Sequence, residues 1–207
     1  MKKKTLLCAI ICTIGIFVAC NNNQTATDGG DKATPEREIV YNDKIQDTFF
    51  EVPFGSTGQE VTDGFRKAGL VITSSSTAST LFFESPGYDS KFSFGGMSWD
   101  YLRAGFSGDG TKGDGRFYTI QFCSSHKSKE SAIKSFNYVL NTVKEKYVMY
   151  EDPVSDTTTY EKYVGQTMDN HYIMVVCYSY ESFSHDRWIG VELIYGDNNY
   201  KKISDEL

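Results

Sequence analysis

Five apolar side chains, Ile133, Phe136, Leu140, Val143 and Tyr147, recur at alternating steps of three and four residues. That spacing draws one stripe along an α-helix. Lys134, Asn137, Asn141 and Lys144 fall on the opposite side. Ser128 stands where an N-cap hydroxyl is needed, and Glu130 brings negative charge to the first turn, where the helix dipole favours it. The stripe lasts barely three heptads, too few for a coiled coil, so the helix must bury it elsewhere. The neighbouring segments say where. Residues 116–123 alternate, with Tyr118, Ile120 and Phe122 on one side and Thr119, Gln121 and Cys123 on the other. Segments 147–152, 158–164, 170–181 and 187–195 also read as strands, the last two as one long hairpin. A striped helix among consecutive strands predicts an antiparallel sheet with helices on one face.

The first half has the same ingredients. Ile39–Tyr41 and Thr48–Val52 are strand-like, and Pro53 ends the second. Thr57 and Glu60 fit a capping box, Val61, Phe65 and Ala68 follow at helical spacing, and Gly69 is a natural stop. A helix over 58–68 is expected. Strands at 70–75, 80–85, 91–95 and 99–107 follow, punctuated by Pro86-Gly87, Gly95-Gly96 and the glycine-rich loop 108–115. Residues 196–207 read as a polar tail. The expected fold is α+β and two-layered, with an antiparallel sheet and two helices on one face. Its halves read as a diverged repeat of helix plus strands.

The N-terminus is a different kind of segment. Lys2, Lys3 and Lys4 precede an apolar run from Leu6 to Val18, and the chain turns polar after Cys20 with Asn21-Asn22-Asn23. A basic head and a short apolar core mark an export signal. The core is shorter than the about 20 residues a membrane span needs. Val18-Ala19-Cys20 makes this segment resemble a bacterial lipoprotein signal, which implies removal of residues 1–19 and a lipid-bearing Cys20. Asn21 in place of Asp implies, by the enteric sorting rule, the outer membrane. Residues 20–38 hold no side chain able to build a core, and an acylated, disordered tether is expected there. Residues 39–207 are then one globular domain. Without residues 1–19 only three of the 21 basic residues go and all 27 acidic ones stay, a formal charge of about −9. That argues against nucleic acid as a partner, since phosphate binding needs a basic surface, and against electrostatic docking on anionic lipid.

Phe50-Glu51-Val52-Pro53-Phe54-Gly55-Ser56-Thr57, with Glu60-Val61 and Ala68-Gly69-Leu70, resembles the opening of small envelope lipoproteins of the BamE/SmpA kind, and is similar to the β-lactamase-inhibitor protein fold. The resemblance covers about twenty residues and the order of elements. It implies a binding or assembly module and transfers no functional residue. The long aromatic second half departs from those families.

Few residues carry chemistry. Cys123 and Cys177 are an even pair for an exported chain, able to form a disulfide or to stay as buried thiols. His126, His171 and His185 show no metal spacing, and no metal or cofactor is expected. His126 and His185 read as exposed. The segment 109–115 lacks the alternating ligands of a calcium loop. Asp152, Asp156, Glu161, Glu181 and Asp186 read as an acidic rim. The aromatic last third stands out. Tyr178 and Tyr180 share one strand face, with Tyr172 on the same parity and Trp188 on the next strand. They either pack under the second helix or line an open sheet face that binds an envelope protein or a glycan. The reading is a membrane-anchored, non-enzymatic binding module. The alternative is a hydrolase of envelope polymers, which predicts a deep pocket with a perturbed carboxylate or histidine.

Overall fold

Helix α1 (Gly58–Lys67) begins where the sequence supplies a complete capping box. The Thr57 hydroxyl accepts from the Glu60 amide at 3.4 Å, and the Glu60 carboxylate accepts from the Thr57 amide at 2.7 Å. Gly69 leaves the helix with φ +87°. Helix α2 (Lys129–Lys144) starts on Ser128, whose hydroxyl accepts from the Ser131 amide. These helices belong to a computed structural model that describes residues 39–87, 90–110, 114–154, 157–181 and 186–201. The lipoprotein signal and the tether lie outside the described residues.

The strands are β1 (Thr48–Phe49), β2 (Val52–Pro53), β3 (Val71–Ile72), β4 (Thr80–Glu84), β5 (Phe92–Phe94), β6 (Met97–Trp99), β7 (Tyr101–Phe106), β8 (Phe117–His126), β9 (Tyr150–Glu151), β10 (Thr159–Gln166), β11 (His171–Glu181) and β12 (Arg187–Asp197), followed by the short helix α3 (Asn198–Lys201). The main sheet has eight strands in the order β3-β4-β7-β8-β12-β11-β10-β9. Every neighbouring pair in it is antiparallel. The fold is therefore α+β. Each half is a helix followed by a four-strand meander, and the last strands of the halves, β8 and β12, pair at the centre. The hairpin β5–β6 is an insertion in the first meander. The repeat of helix plus strands thus exists as topology.

One sheet face carries the core. Phe83, Leu102, Ile120, Phe122, Val175, Val191 and Leu193 point into it and are essentially sealed from solvent. From α2 come Phe136, Val139, Leu140 and Val143, and from α1 Val61 and Phe65. The expected α2 stripe is present, with Ile133 and Tyr147 at its partly buried ends. Phe122 is the hub. Its ring stacks on Phe94 at 4.0 Å and 9°, and Phe49, Phe50, Phe92, Trp99 and Tyr195 surround it within 6.5 Å.

Two expectations on local structure are corrected. The segment 48–52 is not one strand. Phe50 and Glu51 take φ of +51° and +68° and make a two-residue turn between β1 and β2. Both φ positive is the type I′ pattern, which favours Asn-Gly. Phe and Glu hold it because their side chains are anchored: the Phe50 ring meets Phe65 edge-on at 5.1 Å, and Glu51 pairs with Lys67 at 2.6 Å. Nor is the C-terminal end merely a tail. β12 runs to Asp197, and Asp197 accepts from the Asn199 amide at 2.8 Å to open α3.

A left-handed φ strains any residue with a Cβ but not glycine, and an exposed ion pair stabilises little. Glu51→Gly is therefore expected to leave the urea midpoint unchanged or to raise it. A clearly lowered midpoint would show that the turn is not held as described.

Candidate functional site

Strand β11 sorts its side chains by parity. Ile173, Val175 and Cys177 are buried in the core, while Tyr172, Met174, Val176, Tyr178 and Tyr180 are half-buried on the other face. Register carries this outer face across the sheet. Tyr180 lies opposite Trp188, Tyr178 opposite Gly190, Val176 opposite Glu192 and Tyr172 opposite Gly196. Next to β12, the same face of β8 carries Cys123 opposite Glu192, with Tyr101 of β7 beyond it. Both long helices and both small hairpins pack on the core face, so the aromatic residues lie on the open face and not under α2.

The glycines on β12 explain how the tyrosines lie. A Cβ added at Gly190 would come within 2.8 Å of the Tyr178 ring, and one at Gly196 within 2.3 Å of the Tyr172 ring. The rings therefore fold down over the glycines, a packing that covers otherwise bare backbone. Their hydroxyls are then placed near β8 and the centre of β12. Tyr180 donates to the Ser125 hydroxyl at 2.9 Å, and Tyr178 donates to the Glu192 carboxylate. The Tyr178 and Tyr180 rings sit 5.8 Å apart. The Lys127 ammonium stands 5.5 Å from the Trp188 ring, and Phe82 stacks on Tyr101 at 6.3 Å.

Beneath these rings lies a charge. Glu192 is 4% exposed and forms an ion pair with Arg103. A buried carboxylate is tolerated only when paired and hydrogen-bonded. Burial first, and then the Glu192 carboxylate, push the Tyr178 phenol far above its ordinary range, so it stays a donor. Burial, followed by Cys123, does the same to Tyr101.

Of the four expected binding residues, Tyr178, Tyr180 and Trp188 gather at one end of the outer face. Tyr172 is on the same face but six residues along β11, about 20 Å away. Phe82, Tyr101, Arg103 and Glu192 belong to the surface and were not anticipated. The signal for Glu192 is a lone charge in the apolar run Trp188–Tyr195.

Cys123 and Cys177 do not form a disulfide. Both are free and buried. Cys177 lies opposite Val191 and faces the core, whereas Cys123 lies opposite Glu192 on the outer face. With β12 between them, two strand spacings of about 4.8 Å and opposite side-chain directions rule out an S–S bond. Burial raises the Cys177 thiol to about 11 and Cys123 further, so neither is a ready nucleophile.

His126 is not an exposed loop residue. It ends β8, half-buried, with Ser124 Oγ at 3.2 Å from Nε2 and Ser131 Oγ at 3.0 Å from Nδ1. This string ties β8 to the first turn of α2. His171 stands between Asp169 and Asp197, each 3.3 Å away, and fastens the β10–β11 turn to the end of β12. His185, Asp156 and residues 111–113 of the glycine-rich loop lie outside the described residues. Among the described residues, no three of His, Cys, Asp and Glu group as metal ligands. A groove of about 490 Å³ runs between the β1–β2 turn and α1, lined by Glu51, Glu60, Asp63 and Lys67 among others. A crevice of about 160 Å³ separates α2 from the β5–β6 turn. Neither contains a histidine, the Glu51 and Glu60 carboxyls of the first are held below their ordinary range by hydrogen bonds from Lys67 and Thr57, and neither opens on the outer sheet face. No protein-family model matches the chain, and no curated protein or solved structure is significantly similar to it.

Glu192→Gln leaves the Arg103 charge partly buried without a counter-charge. Breaking a fully buried pair costs about 3–5 kcal/mol, and partial solvation of Arg103 reduces the expected loss to about 2 kcal/mol in urea unfolding. Replacing both, Arg103→Met with Glu192→Leu, is expected to recover stability to within about 1 kcal/mol of the parent. Equal losses in the single and double variants would contradict the pairing.

Proposed function

We propose that this chain is a lipid-anchored protein of the bacterial cell envelope, acylated at Cys20, that binds a macromolecular partner through the outer face of its sheet. The basic head, the short apolar run and Val18-Ala19-Cys20 support the anchor. The observation that carries the binding role is the bare sheet face with Tyr178, Tyr180, Trp188, Tyr101 and Phe82 at one end. Aromatic side chains with a polar handle combine apolar area with hydrogen bonding and dominate recognition surfaces. The extent of the face favours a macromolecule. Four long strands, spaced about 4.8 Å apart and about 30 Å long, offer a surface comparable to one side of a modest protein interface. Small ligands instead take concave sites. The partner is an envelope protein or, by stacking on the tyrosine rings, a glycan. Binding, not catalysis, is the proposed activity, and the outer membrane the proposed location.

Site-specific crosslinking in living cells tests this. A photoreactive phenylalanine at position 180 is expected to yield a covalent adduct. The same group at Tyr138, 59% exposed on α2, is expected to yield none. Adducts from both positions, or only from 138, would overturn the assignment of the face. The mass of the N-terminal peptide from the same cells reads the acylation of Cys20 separately.

A further inference from the structure

Among the described residues, eight large hydrophobic side chains are exposed, and five of them gather on one edge of the sheet. Ile39, Val40 and Tyr41 are 42–53% exposed, Val148 is 43% and Met168, in the β10–β11 turn, is 84%. Hydrogen bonds place them together. The Asn42 side chain accepts from the Val148 amide at 2.7 Å and donates to the Val148 carbonyl at 3.1 Å. The Asn42 amide donates to the Gln166 carbonyl at 2.8 Å, and Asn42 bridges Thr167, the neighbour of Met168. The Val40 carbonyl accepts from the Tyr150 hydroxyl at 3.1 Å. The entry segment is thus fastened to the β9–β10 edge with its apolar side chains left outside.

These are the first residues of the folded domain, and 18 residues separate Ile39 from Cys20. Resting on the lipid-anchor reading above, we propose that this edge is the membrane-facing side of the domain, and that Ile39, Val40, Tyr41, Val148 and Met168 seat in the lipid headgroup region. The occupant is a bilayer surface because the lipid and the apolar edge enter from the same end of the domain. Tyrosine is favoured at such interfaces, where its ring meets lipid and its hydroxyl meets water. The formal charge of about −9 on the chain after residue 19 removes electrostatic attraction to anionic lipid, so the contact is apolar and does not weaken as salt rises. Weak seating is enough, because the anchor confines the domain to the membrane. The open face of the sheet is then left free for its partner.

Residues 20–207 coupled through Cys20 to maleimide lipid in phosphatidylethanolamine–phosphatidylglycerol vesicles supply the anchor chemically. The buried Cys123 and Cys177 do not compete for the coupling. Brominated acyl chains then quench any tryptophan seated at the interface. Met168→Trp is expected to lose a clear share of its added fluorescence, in high salt no less than in low salt. Val71→Trp, on the opposite edge strand β3, is expected to match the parent, whose own tryptophans are Trp99 and Trp188. Equal quenching of both variants, no quenching of either, or a stable dimer that hides residue 168 overturns the proposal. An unmodified Cys20 in cells would instead remove the anchor reading and leave the vesicle result standing.

Discussion

The pairing of β8 with β12 is the constraint on which the rest depends. It joins the last strands of two meanders, from Ile189 opposite His126 to Gly196 opposite Thr119. Each meander alone would be a four-stranded sheet with one helix and an exposed edge. Joined, they place Phe122 and Leu193 side by side on the core face, and Cys123 and Glu192 side by side on the outer face. Phe122 collects aromatic rings from β1, the β1–β2 turn, the β5–β6 hairpin and β12. Elements distant in sequence therefore meet on one residue of the central strand.

The same pairing makes the outer face a surface of its own. Small residues on β12 let rings from β11 lie across it, and the hydroxyls of those rings reach β8 and Glu192. A charge is held there by Arg103 from β7. Four strands contribute to one layer, and within it Tyr178 and Tyr180 each donate to a defined acceptor, Glu192 and Ser125, which orders both rings. A pre-ordered aromatic surface loses little entropy on binding, which suits a recognition face. In the proposed reading, a lipid on Cys20, the apolar edge beside Asn42 as a membrane seat and the open face as a partner surface would form one arrangement.

Much of the fold was legible because it rests on local periodicity. The α2 stripe, the Thr57–Glu60 box and the alternation along β11 follow from geometry that neighbouring residues impose on each other. What was not legible depends on pairing between distant strands. Parity showed that Tyr172, Tyr178 and Tyr180 share a face, but not which face the helices would cover. It also could not show that Tyr172 lies far from the others' cluster, or that Cys123 and Cys177 stand on opposite faces with β12 between them. The Phe50–Glu51 turn was hidden because Phe-Phe reads as strand, and its side chains are anchored by residues far along the chain. Glu192 was overlooked because its partner, Arg103, is 89 residues away.

An outer face that is open in the free protein and covered by a partner in the envelope can be read by hydroxyl-radical footprinting, peptide by peptide, in the purified protein and on intact envelopes. Tyr180 and Trp188 are expected to oxidise readily in the purified protein and to become protected in the envelope. Trp99, 1% exposed in the core, should stay unmodified in both. Equal oxidation of Tyr180 and Trp188 in the two settings, or protection of both in the purified protein, would show that this face binds no envelope partner.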